Sequence, residues 1–69
     1  MSVRELVDVI DNSLVLELYG YDESRNLQHR GTFNLNVPTS KSSLLEQCGN
    51  CRVKHKDVYK AYVLVYLDE

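Results

Sequence analysis

The sequence has little of what several specialised protein classes need. It contains no tryptophan, one proline, three glycines and two cysteines among 69 residues. So few glycines and prolines exclude collagen-like and low-complexity sequence, and two cysteines are fewer than a small secreted protein held by disulfides would carry. No apolar run approaches the roughly 18 residues of a membrane span. Since residues 1–5 also lack the features of a signal peptide, we expect a cytoplasmic protein.

An excess of charge of one sign is also lacking. Eight basic and ten acidic side chains give a net charge of −2, which is too near neutral for a protein that binds nucleic acid through its overall charge. Apolar residues make up 43% and charged residues 26%, as in an ordinary folded domain rather than a disordered chain. A chain of this length has room for one domain, residues 1–69, with one small core.

Apolar periodicity predicts the elements of the first half. Ser2 and Glu5 have the spacing of a capping box and precede a helical apolar stripe, which predicts a helix from residue 3. Residues 13–21 alternate between apolar and other side chains and predict a strand with one buried face. Residues 33–37 alternate in the same way, so we expect a second strand that forms an antiparallel hairpin with the first.

The second half is expected to begin with a short helix. Pro38 should close the second strand, and Thr39 or Ser40 can cap the helix that follows. Gly49 and Asn50 should end this helix in the left-handed conformation. Residues 51–67 are too many for one typical strand, so we expect a turn or bulge near residues 56–58. The predicted fold is α+β in the order α-β-β-α-β-β, an antiparallel four-stranded sheet with two short helices on one face.

The sharpest chemical feature is Cys48-Gly49-Asn50-Cys51 followed by His55. A tight turn between two thiolates is typical of a zinc knuckle, and His55 can supply a third ligand, with His29 or a second copy completing the site. The competing interpretation is that both cysteines pack as small apolar residues, because Cys48 falls on the apolar stripe of the second helix. A thiol–disulfide enzyme carries such a pair at the start of a helix, whereas this pair ends one. We expect no cofactor, with zinc at Cys48, Cys51 and His55 as the alternative.

Catalytic motifs are missing from the sequence. There is no glycine-rich phosphate loop, no His-Glu-x-x-His and no Gly-x-Ser-x-Gly. A chain with one small core also has little material for a cleft that excludes water. We therefore expect a protein that is not an enzyme.

Tyrosine is the abundant aromatic residue, with five copies against one phenylalanine. Tyrosines share a face of the first predicted strand and a face of the last, so neighbouring strands would present a tyrosine-rich surface with lysines nearby. Such surfaces are enriched in protein interfaces, although tyrosine also simply suits a half-exposed sheet face. The predicted partner-binding residues are Tyr19, Tyr21, Tyr62, Tyr66, Lys54, Lys56 and Lys60.

Two further kinds of binding stay open at this stage. Arg52, Lys54 and Lys56 can contact the phosphates of a nucleic acid, but the net acidity and the lack of an RNA-recognition signature disfavour this partner. A run of lysines on a strand is more often a solvated edge. Residues 62–67 form an apolar end strand that can pair with a second copy, which predicts a possible homodimer.

Residues 2–11, 14–18 and 63–69 carry a resemblance in pattern to other small proteins. With a helix, an early hairpin, a short leucine-rich helix and a final apolar strand, the chain resembles small proteins encoded by phages and prophages of Gram-positive bacteria. Some phage proteins of this size are anti-CRISPR or other anti-defence inhibitors. The resemblance implies an inhibitor that occupies the surface of a host defence protein, such as a CRISPR-Cas effector, in the host cytoplasm.

Overall fold

The computed structural model describes residues 1–68, which form two helices and a four-stranded sheet. The α+β class predicted from the sequence is confirmed. Neither helix in this described part is long and apolar enough to cross a membrane. In chain order the elements are α1 (Val3–Val9), β1 (Val15–Tyr21), β2 (Leu27–Asn34), α2 (Pro38–Cys48), β3 (Val53–Val58) and β4 (Tyr62–Leu67).

The sheet is mixed, so the prediction of a fully antiparallel sheet is wrong. Its strands lie in the order β2-β1-β4-β3, with antiparallel pairs at both sides and the parallel pair β1–β4 in the centre. Alternation indicates which side chains share a face but not which strands are neighbours. The two hairpins are joined through α2, whose length allows the chain to cross over and set β4 parallel to β1.

The strand at residues 62–67, predicted to be an exposed end strand for a homodimer, is an interior strand. β4 is hydrogen-bonded to β1 on one side and to β3 on the other. Because its backbone groups are already paired, it has no free edge to offer a second copy. The edges of the sheet are β2 and β3.

The core lies between the helices and one face of the sheet. β1 and β4 bury alternate side chains on this face and leave the intervening ones partly exposed. α1 contributes three buried residues and α2 one. The buried core consists of Val3, Leu6, Val7, Leu14, Leu16, Leu18, Phe33, Leu35, Leu44, Val63, Val65 and Leu67.

The capping box predicted at the start of α1 is confirmed. The Glu5 amide donates to Ser2 Oγ at 3.2 Å, and the Ser2 amide donates to Glu5 Oε1 at 3.0 Å. Two further amides of the first turn find acceptors in the segment after α2, Val3 donating to the Cys51 carbonyl at 2.9 Å and Arg4 to the Gly49 carbonyl at 3.0 Å. The first amides of a helix lack partners within the helix, so these contacts attach the start of α1 to the end of α2.

The protein is expected to lose stability as the pH falls below about 4. Backbone N–H donors hold the pKa values of Glu5, Asp11 and Asp22 below their ordinary values, through Ser2 in the case of Glu5. A carboxyl group whose pKa is lower in the folded than in the unfolded state stabilises the fold. This contribution is complete above the pKa of the unfolded state and is lost as the pH falls through the pKa of the folded state. Urea unfolding from pH 7 downward measures this loss. In Ser2→Pro, which lacks the N–H that donates to Glu5 Oε1, the pKa of Glu5 should rise in a carboxyl NMR titration, and an unchanged titration would contradict the prediction.

α2 begins and ends differently from the prediction. Pro38 is the first residue of the helix, a position that suits proline because its missing N–H has no partner there. The N-cap is Val37, without a side-chain hydrogen bond, and Ser40, a predicted cap, accepts instead from the Asn34 amide at 2.9 Å. Gly49 follows the helix at φ −56°, so the predicted left-handed end is wrong.

Both edge strands carry an irregularity that changes which side chains share a face. Register shifts place Leu18 opposite Gly31 but Tyr19 opposite His29, and Val53 opposite Leu67 but His55 opposite Tyr66. In each edge strand one extra residue is therefore left between two paired ones, which is the pattern of a β-bulge. The chain then turns at residues 59–61, slightly later than the turn expected near residues 56–58.

Candidate functional site

The sheet face opposite the core, here called the open face, carries most of the tyrosines. Parallel pairing sets Tyr19 opposite Tyr66, and their rings stack with centroids 5.6 Å apart and planes inclined by 23°. Cross-strand partners project from the same face of a sheet. The register therefore shows which other residues belong to the open face. The open face comprises Val15, Glu17, Tyr19, Tyr21, Leu27, His29, Thr32, Asn34, His55, Asp57, Tyr62, Leu64 and Tyr66.

An aromatic row crosses all four strands of the open face. The His29 ring lies 5.2 Å from that of Tyr19, and the His55 ring lies 5.7 Å from that of Tyr66. Burial within the face and the nearby Asp57 carboxylate raise the pKa of Tyr66 above its ordinary value. At neutral pH this phenol keeps its proton, as tyrosines ordinarily do, and can donate a hydrogen bond to a partner.

Each histidine of the row is bonded to a carboxylate beside it. His29 Nε2 lies 2.7 Å from Glu17 Oε2, and His55 Nε2 lies 3.0 Å from Asp57 Oδ1. Thr32 Oγ1 also donates to Glu17, at 3.1 and 3.0 Å from its two oxygens. The sequence analysis did not place the histidines beside the tyrosines, because the bulges that bring them there leave no local signal.

The two ends of the open face differ in polarity. At the end near the β3–β4 turn, Tyr59 stacks on Tyr62 with ring centroids 4.9 Å apart, and both rings are exposed, at 47% and 42%. The other end, around Tyr21, carries the exposed Leu27 opposite Tyr21 but is otherwise lined by charged side chains, namely Asp22, Glu23, Arg25, Lys54 and Asp68. The end near the turn, here called the apolar end, continues into a shallow depression lined by Val15, Glu17, Tyr19, Ala61, Tyr62 and Leu64.

The lysines predicted to flank the tyrosines do not all lie near them. Lys54 Nζ is 4.9 Å from the centre of the Tyr21 ring, close enough for a cation–π contact. Lys56 pairs with Val65, whose side chain is buried in the core, and so lies on the opposite face of the sheet. Lys60 is exposed in the turn after β3. The structure thus separates Lys56 from the predicted binding surface and leaves Lys54 on it.

Tyr59 is a member of the site that the sequence analysis missed. It lies just beyond the predicted turn, where alternation no longer assigns a face. The sequence does contain one indication of this contact, because Tyr59 and Tyr62 are separated by a short turn. Rings on the two sides of a hairpin turn can stack on each other.

The three ligands of the predicted zinc site are not brought together. Cys48 and Cys51 pack against the core and are not joined by a disulfide, whereas His55 contacts Tyr66 on the open face. Within residues 1–68 no three His, Cys, Asp or Glu side chains are grouped so that they could hold a metal ion. A site shared between the cysteine pairs of two copies stays a prediction.

Comparison with known proteins identifies no relative of this chain. No protein-family model, curated protein or solved structure matches the chain. The resemblance in pattern to small phage proteins accordingly remains a prediction.

Proposed function

We propose that this protein is a non-enzymatic binding module that attaches to a partner protein through its open face and blocks the surface it covers. The observation that carries the proposal is the exposed, stacked pair Tyr59 and Tyr62 beside the apolar depression. Exposed apolar surface on a small protein often marks an interaction site. Tyrosine dominates binding energy in many interfaces because one side chain combines a large apolar ring with a hydroxyl.

The size of the open face is consistent with the centre of a protein interface. Four strands about 4.8 Å apart, each with a rise of about 3.3 Å per residue, give a face of roughly 20 by 20 Å, or about 400 Å². A standard interface buries about 800 Å² on each partner. The open face would then form the apolar centre, and the charged end around Tyr21 would form part of a polar rim.

Charge favours a protein partner over a nucleic acid. Glu17 and Asp57 place carboxylates on the open face beside the aromatic row. Aromatic platforms that bind single-stranded nucleic acid are accompanied by a positively charged groove for the phosphates. Lys54 and Lys56 lie on opposite faces of the sheet, which disfavours a continuous basic patch with Arg52.

The class of partner that we propose is a host defence protein, with a CRISPR-Cas effector as the first candidate. The support for this finer proposal is the resemblance in pattern to small phage proteins, and it implies a phage- or mobile-element-encoded inhibitor acting in the host cytoplasm. Inhibition by occlusion needs no catalytic group, only a stable surface that competes with the partner's own substrate.

Substitution at the apolar end should abolish most of the binding. We expect Tyr62→Ala and Tyr59→Ala each to weaken partner binding about 30-fold, the equivalent of about 2 kcal/mol for a central interface tyrosine. The measurement is the inhibition of DNA cleavage by purified CRISPR-Cas effectors, together with the dissociation constant for any effector that is inhibited. Lys56→Ala is the matched control, because it changes a side chain of β3 on the other face of the sheet.

The outcomes separate the two levels of the proposal. If no effector is inhibited, the finer proposal of a CRISPR-Cas partner is wrong. If a partner is bound with unchanged affinity by both folded tyrosine variants, the open face is not the binding surface.

A further inference from the structure

The turn that follows α2 brings the backbones of two cysteines, Cys48 and Cys51, close together. The Cys51 amide donates to the Cys48 carbonyl at 3.0 Å, which is the hydrogen bond of a four-residue turn whose end Cα atoms lie within about 7 Å. Disulfides join residues whose Cα atoms are usually about 4.4 to 6.8 Å apart. Both cysteines are half-buried and neither is in a disulfide. The turn therefore holds the two Cα atoms at about the separation that a disulfide spans.

The same turn holds the first residues of the chain in place. The Cys51 and Gly49 carbonyls accept from the first amides of α1, and the Met1 carbonyl accepts from the Val53 amide at 2.8 Å. The backbone of Ser2 forms an isolated antiparallel β-bridge with Arg52, the residue after the second cysteine. Because α1 depends on carbonyls within the turn for its capping, a change in the shape of the turn acts directly on the start of α1.

We propose that Cys48 and Cys51 form a reversible oxidation site, and that closing their disulfide loosens the start of α1. The oxidant is a small disulfide such as glutathione disulfide. One cysteine thiolate attacks a sulfur of this disulfide, which forms a mixed disulfide and releases one small thiol. The other cysteine then attacks the protein sulfur of the mixed disulfide, forms the Cys48–Cys51 bond and releases the second thiol. Two electrons pass to the small disulfide, and the two protein thiol protons end on the released thiols.

The position of the pair distinguishes an oxidation site from a redox enzyme. In thiol–disulfide enzymes the start of a helix stabilises the attacking thiolate, whereas Cys48 is the last residue of α2. The pair is therefore suited to being oxidised and reduced by other molecules rather than to catalysing exchange.

The test is oxidation of the folded, full-length protein by glutathione disulfide, followed by mass spectrometry. The expected product is a monomer lighter by two hydrogen atoms, which dithiothreitol restores to its original mass. Cys48→Ser and Cys51→Ser are matched controls, since each can take up one glutathione but cannot expel it. In the oxidised protein we expect the amides of Val3 and Arg4 to exchange with solvent about tenfold faster than in the reduced protein.

Either half of the proposal can fail separately. Stable glutathione adducts on the natural sequence, covalent dimers, or oxidation only in urea would overturn the oxidation site. An oxidised monomer with unchanged exchange at Val3 and Arg4 would overturn the coupling to α1. None of these measurements depends on the open face, so they are independent of the proposed binding function.

Discussion

Leu6→Ala is expected to lower the free energy of unfolding by about 3 kcal/mol. Leu6 is fully buried between α1 and the sheet, so truncation removes its apolar contacts and leaves a cavity that two short helices cannot easily close. A chain of 69 residues has a total stability of roughly 3 to 10 kcal/mol. The variant should therefore be close to unfolding at 37 °C.

Val9 provides the matched control for this substitution. It lies in the same helix but is 72% exposed, so Val9→Ala should change the free energy of unfolding by less than about 0.5 kcal/mol. Urea unfolding followed by circular dichroism measures both variants against the natural sequence. Equal midpoints for the two variants would contradict the placement of α1 on the core.

Gly49→Ala is expected to destabilise the protein by about 2 to 3 kcal/mol through overpacking, although alanine generally favours helical backbone over glycine. A Cβ at this position would collide with the Leu45 carbonyl oxygen and would lie 2.8 Å from Arg4 Nη2. The Arg4 side chain can move away, but the Leu45 carbonyl is held in α2, where it accepts from the Gly49 amide. Relief of the collision therefore requires the end of α2 to shift, together with the carbonyl that caps α1.

Thermal unfolding measures this effect directly. For a domain of this size each kcal/mol corresponds to about 4 to 8 °C in Tm, so a decrease of about 10 °C or more is expected for Gly49→Ala. Asn50→Ala is the matched control, because Asn50 is the adjacent exposed residue and should leave Tm nearly unchanged. A Gly49→Ala variant as stable as the natural sequence would mean that the turn after α2 is not tightly packed.

Features encoded by short segments were predictable from the sequence. The capping box at Ser2 and Glu5 depends on residues three apart, and its two hydrogen bonds are present. Alternation likewise predicted that Tyr19 and Tyr66 lie on the sheet face that points away from the helices. This prediction was possible because the pairing between β1 and β4 contains no irregularity. Such patterns involve local geometry alone, and the physical rules that connect them to structure are short-ranged.

Features that depend on long-range pairing were not predictable. The parallel contact between β1 and β4 joins segments more than forty positions apart, and no local pattern distinguishes it from an antiparallel one. The bulge between Val53 and His55 then reverses the alternation of β3. As a result His55 and Asp57 face the aromatic row, whereas Lys56, predicted to be there, lies on the opposite side.

The two bulges also affect how the protein behaves at high concentration. Each edge strand is interrupted at a bulge where a basic residue, Arg30 or Lys54, is the extra one. A long, regular edge would act as a template on which further chains add strands and grow into fibrils. A broken row of backbone donors and acceptors with a cation at the break opposes such growth. A protein that exposes tyrosines on one sheet face can thus stay dispersed while that face remains available.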